Sequence, residues 1–287
     1  ETGLTGAFAI DPQLLKGEVL LNLDSEDEGE IFIGCAGGVD TLAKLPFDKE
    51  DTPAGAYFRI YVKGLKGGHS GDDINKGLGC ANKLLNRILW AADKEMDMRL
   101  ATFDGGNLRN AIAREAYADV VVMEQEAEDL KQLVAKYSDE LKYEFRSTEP
   151  NMQVGIEAIP MPEFVVDMLS QDNLLNVLYA CPHGVLSMSR EIPGFVETST
   201  NLASVKMQEG YFMITTSQRS SLESAKDAAA SRVESCFLLA GADVEHTDGY
   251  PGWSPNTDSY ILKVAVESYK RLFGKEPVVR AIHAGLE

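Results

Sequence analysis

Tyr57-Phe58-Arg59-Ile60-Tyr61-Val62, then Gly64-Leu65-Lys66-Gly67-Gly68-His69-Ser70-Gly71, then Ile74, Leu78, Ala81, Leu84, Leu85 and Ile88 set three patterns side by side in one short stretch. The first alternates in hydropathy and predicts a strand. The last recurs at helical spacing and predicts a helix over 74–92, capped by Asp72 or Asp73. Between them a glycine-rich turn carries a histidine. Glycines let the backbone take positive φ and come close to another group, while an imidazole donates a hydrogen bond or a proton. On spacing alone a tight turn whose histidine faces solvent is the commoner outcome.

Working outward, the same strand-and-helix mixture continues over the middle of the chain. Strands are expected at 57–62, 98–103, 117–123, 152–156, 201–207, 211–216 and 242–245, with helices at 124–141, 163–179 and 225–238. This is an α+β pattern of about twice ferredoxin-like size, and an internal duplication would account for it. Outside this region the character changes. Val19–Leu23 and Ile31–Gly34 are continuous apolar runs suited to a buried sheet. Asp258 is placed to cap a helix ending at Gly274, and 278–282 reads as a strand. Polar or turn-rich crossings at 48–55 and 249–255 separate the parts. The fold expected is therefore an incomplete α/β catalytic domain (1–50 and 249–287) interrupted by an inserted α+β lid domain (51–248).

The formal charge of −18 argues against nucleic acid and anionic membrane surfaces as partners. Cys35, Cys80, Cys181 and Cys236 show no CxxC spacing and sit among apolar residues, so buried free thiols in a reducing, cytoplasmic setting are expected. No apolar run reaches membrane-spanning length and nothing at the start resembles a signal peptide. The chain opens at Glu1 without a methionine and stops after an apolar strand, so both ends look cut.

Several side chains are candidates for chemistry, each with a plainer alternative. Asp24, at the end of a predicted central strand, and Glu1 could ligate a metal, or could be a solvated charge run and a helix cap. Asn110, in Asn107-Leu108-Arg109-Asn110-Ala111 after Gly105-Gly106, could give its amide to a substrate oxygen, or could be a turn residue. Arg219 could hold a carboxylate in a bidentate fork, or could be a surface arginine. His183 and His246 sit in no motif and suit structural roles.

Taken together, Lys63–Gly71, Asn107–Ala111, Glu197-Thr198-Ser199-Thr200-Asn201, Tyr250-Pro251-Gly252-Trp253, Ile282-His283-Ala284-Gly285-Leu286-Glu287 and Ile31–Asp40 resemble the aminoacyl-histidine (Xaa-His) dipeptidase branch of the di-zinc M20 metallopeptidases. The likeness runs over almost the whole chain. It implies that Glu1 and Asp24 each ligate one of two zinc ions and that His69 stabilises the tetrahedral oxyanion. It also implies that Asn110 and Arg219 hold the substrate, Arg219 at the dipeptide carboxylate, with Gly285 in the pocket wall. His283 is not assigned as a ligand. In such enzymes a hydroxide shared by the zinc ions attacks the amide carbonyl, and a glutamate base passes its proton to the leaving amine. Here that base would precede Glu1, and the His-x-Asp motif, the bridging aspartate and the last zinc histidine are absent too. The expectation is a zinc-dependent hydrolase of small peptides, cytoplasmic and homodimeric, of which this chain alone is inactive. Other M20 specificities (aminotripeptidase, carboxypeptidase, N-acyl amino acid hydrolase) and a non-catalytic dimerisation module remain as alternatives.

Overall fold

A computed structural model of the protein describes residues 9–14, 16–23 and 28–285. Its strands in chain order are β1 (Glu30–Cys35), β2 (Gly37–Pro46), β3 (Lys49–Asp51), β4 (Ala56–Lys63), β5 (Arg99–Gly105), β6 (Ala116–Val122) and β7 (Gln153–Ala158). They continue with β8 (Phe164–Val166), β9 (Gly184–Met188), β10 (Val196–Gln208), β11 (Tyr211–Ser220), β12 (Asp243–His246) and β13 (Val278–Ile282). The helices are α1 (Ala81–Glu95), α2 (Ala127–Glu144), α3 (Met168–Ala180), α4 (Glu223–Leu239) and α5 (Tyr260–Phe273).

The alternation that opens this stretch does its work in β4. Phe58, Ile60 and Val62 are buried and join Leu85, Ile88 and Leu89 of α1, Leu130 and Leu141 of α2, Leu174 of α3 and Val233 and Phe237 of α4 in one core. Burial of that apolar face, rather than helix propensity, is what fixes the helices against the sheet. On the opposite face Arg59 forks onto Asp119 of β6 at 2.6 and 2.8 Å.

Among the described residues the two strand-rich runs form a single nine-stranded sheet, ordered β12-β2-β11-β10-β5-β6-β4-β7, with β9 pairing β10. Every pairing in it is antiparallel. The long β10 serves two neighbours in turn: its first half pairs β9 and its second half β5. A register shift between Leu202 and Ser204 marks the change. The second unit is α/β: β1 and β13 pair in parallel, with Arg280 forked onto Glu30 at 2.7 and 2.8 Å, and α5 lies between β12 and β13 in the chain. Only Ala36, fully buried, separates β1 from β2. Across this joint Cys35 exchanges backbone hydrogen bonds with Trp253, and Gly38 with Tyr250. Gly37 sits so close to the backbone of Gly252 that a Cβ would overlap its amide nitrogen. β2 falls within 1–50, yet it is paired along its whole length with β11.

Three local expectations are corrected. The helix predicted from Ile74 begins only at Ala81, because Gly77 takes φ +67° and Asp73 turns back to the His69 amide instead of capping a helix. Val19–Leu23 carries no strand, and Leu20 and Leu23 are exposed rather than buried in a sheet. The last helix has Ser259, not Asp258, at its cap.

Candidate functional site

The loop carrying His69 is clamped at its base. Glu149, buried, accepts from the Lys66 amide (2.8 Å) through one carboxylate oxygen and from the Gly79 amide (2.9 Å) through the other. The loop then zips against residues 110–112: Ser70 N donates to Asn110 O (2.8 Å), Ile112 N to Gly68 O (2.9 Å), and His69 bridges Ala111. Gly71 lies against the His283 carbonyl, and a Cβ there would collide with that oxygen. A glycine is therefore required for the close approach of these two segments.

His69 itself is part-buried. Its Nδ1 accepts from the Gly71 and Asp72 amides at 3.2 and 3.3 Å, which places the proton of the neutral ring on Nε2. Burial, and then the charge of Arg219, push its pKa below the ordinary histidine value against the opposing pull of Asp72 and Asp73. The neutral ring thus offers an Nε2–H donor with no partner among the described residues.

Arg219 is only 7% exposed, which removes the surface-arginine alternative. Its Nε donates to Ser70 Oγ (3.3 Å) and its Nη1 to Tyr250 Oη (2.8 Å), leaving Nη2 without a partner among the described residues. Gly285 packs against the same Tyr250 ring; a Cβ there would stand 3.0 Å from Cε2. Ser199, opposite Arg219 in the β10–β11 register, shares a 2.7 Å hydrogen bond with His283 Nε2. Burial, then Arg219, lower His283 to about 4, so this ring stays neutral. Asn110 is exposed and enters the cluster through its backbone carbonyl. The net result is one buried guanidinium flanked by two neutral histidines, an arrangement that attracts an anion and offers it N–H donors.

The structure thus gathers His69, Asn110, Arg219 and Gly285. Glu1 and Asp24 lie outside the described residues. Among the described residues no three His, Cys, Asp or Glu side chains stand together as a metal site, so this part of the chain supplies no zinc cage of its own. His183 and His246 take structural roles. His183 Nδ1 accepts from the Leu202 amide (3.1 Å), and His246 meets Thr41 Oγ1 at 3.0 Å. All four cysteines are free, Cys236 half-buried and the others buried. No helix among the described residues is long and apolar enough to cross a membrane.

Ser70, Glu149, Ser199, Asn201 and Tyr250 were given no individual role by sequence reasoning. A signal exists for two of them, Ser199 and Asn201. Thr198–Asn201 and Thr216–Ser221 are polar runs on two paired strands in the middle of a sheet, and all are buried. Polar side chains concentrated where a core is expected mark a site or a network.

Comparison with known proteins gives these matches. Residues 55–149 match the family described as the M20 peptidase dimerisation domain, and the fold is that of the M20 peptidases with their dimerisation (lid) domain. The cytosol non-specific dipeptidase of Escherichia coli (strain K12) is 43% identical over 288 aligned residues, which cover 100% of this chain and 59% of that protein. The crystal structure of the aminoacylhistidine dipeptidase from Vibrio alginolyticus matches with a TM-score of 0.95 at 39% identity, covering 100% of this chain and 59% of that one. The resemblance seen in the sequence motifs is borne out. The chain spans 59% of the length of each of these relatives.

Proposed function

We propose that this chain is part of a dipeptidase that hydrolyses small peptides, Xaa-His dipeptides of the carnosine type preferred, in the cytoplasm and as a homodimer. The observation that carries the reading is the buried Arg219 with an open N–H edge, hydrogen-bonded to Ser70, the neighbour of His69, whose Nε2–H has no partner among the described residues. A dipeptide presents the two groups that match: a terminal carboxylate for Arg219 and, one residue away, a carbonyl whose developing oxyanion His69 would receive. Asn110 would hold the substrate from the facing loop, and Gly285 would leave room beside Tyr250. Glu1 and Asp24 are the proposed zinc ligands. We also place the start of the lid at Gly37 rather than residue 51, because β2 pairs along its length with β11.

The test uses the full-length protein on a panel of Xaa-His dipeptides, other dipeptides, tripeptides and N-acyl amino acids. Arg219→Met should raise KM for dipeptides by about 100-fold, the weight of a buried charge-assisted pair, and leave a C-terminally amidated substrate unaffected. Equal effects on both substrates would remove Arg219 from the carboxylate. Preference for tripeptides or N-acyl amino acids would replace the dipeptidase reading with another M20 specificity.

A further inference from the structure

We propose that Asn201 is the positioning residue for the substrate-holding loop: its side-chain amide fixes the backbone on both sides of Asn110. The proposal rests on the reading of Asn110 as a substrate-binding residue. Asn201 lies in β10, 1% exposed. Its Nδ2 donates to Ala111 O at 2.9 Å and to Arg109 O at 3.3 Å. Two carbonyls can be met only by the NH2 end, so the orientation of the amide is fixed by its partners. The carbonyl between them, that of Asn110, accepts from Ser70 N at 2.8 Å. Three successive carbonyls are thus tied, the outer two to β10 and the middle one to the loop of His69.

The anchor is rigid on its own side. Immediately after Asn201 the strand shifts register between Leu202 and Ser204, and Asn82 of α1 donates to Leu202 O (3.3 Å) and Ala203 O (3.4 Å) across that shift. Such irregularities re-aim side chains beside active sites. The Oδ1 of Asn201 is buried and has no partner among the described residues. A buried orphan acceptor is costly, so an amide at this position is explained by what its other end does. By contrast, the other side-chain hold on the loop among the described residues is the ion pair of Arg109 with Asp40 at 3.1 Å, whose arginine is 70% exposed and therefore contributes little. Residues 107–110 are exposed, and without the Asn201 clamp little beyond the backbone bonds to the His69 loop would restrain them, leaving more of the conformational freedom of a surface loop.

The test measures kcat and KM of the full-length enzyme on a dipeptide for Asn110→Ala, Asn201→Leu and the double variant, with Asp40→Asn as control and thermal melts for all. Leucine keeps the branched outline of Asn201 without its donors but is larger; Asn201→Ala is the second variant if the first does not fold. The expected result is a KM raised about tenfold by either single change, little change in kcat, and a double variant no worse than the worse single one. Asp40→Asn should stay near wild type. Wild-type KM in the Asn201 variant beside an impaired Asn110→Ala, or losses that multiply, would overturn the clamp alone. Wild-type KM in Asn110→Ala would overturn the substrate-holding reading and the clamp with it. A lowered melting temperature with unchanged KM would assign Asn201 to stability only.

Discussion

At His69 the two ring nitrogens have different company, and this decides what the side chain can do. Nδ1 faces the amides of Gly71 and Asp72, so the donor is Nε2–H. Nitrogen-detected NMR of the imidazole should find the Nε2–H tautomer and a pKa below the ordinary histidine value, as burial and Arg219 require; a raised pKa would mean that Asp72, 3.4 Å from Nδ1, dominates. In the proposed dipeptidase His69→Ala should lower kcat by about 100-fold, the weight of one oxyanion donor, with a smaller change in KM, read from steady-state kinetics. His69, Asn110 and Arg219 stand out in the sequence as motif residues, but the contacts that bring them together do not. No spacing rule says that Arg219 is buried, because its burial comes from Ser70 and Tyr250, far away in sequence.

Among the elements, the loop between β4 and α1 is the one the sequence misstates. Apolar spacing from Ile74 mimics a helix, yet Ile74 is buried from within a loop because Glu149 accepts from an amide at each end of it. Sequence periodicity records burial, not the hydrogen bonds that choose between loop and helix. Replacing Glu149 by Leu should strand two amides and destabilise the protein by about 1–3 kcal/mol, measured by denaturant unfolding. Activity should fall further than stability, since the loop carries His69. Most other elements were legible within a few residues, since alternating and helical apolar patterns there agree with what the core buries. β10 and β11 proved longer than expected because their buried polar ends carry no hydrophobic signal.

For the molecule as a whole, acid is the informative stress. His183 and His283 are each lowered to about 4 by burial. Their unfolded-state value is near 6.5, so the unfolded chain binds more protons between those two values. Stability should therefore be full above about pH 6.5 and fall as the pH drops toward 4, by roughly 3 kcal/mol per histidine at most. Chemical denaturation at stepped pH would show it; a flat profile across that window would mean that both rings are open to water. The two-part organisation was legible from the change between continuous and alternating apolar runs. The single sheet was not, since pairing across β10 and β5 is set by contacts distant in sequence. Finally, the joint between the two parts has no slack: one residue, Ala36, on one side, and the paired 250–253 segment on the other. Any swing of one part against the other must turn about that line like a door on its pin. The cluster sits at the pin, with Tyr250 and His283 on one leaf and His69 and Arg219 on the other. Gly71 packs on the His283 carbonyl across that line, so a swing of either leaf bears directly on the lock.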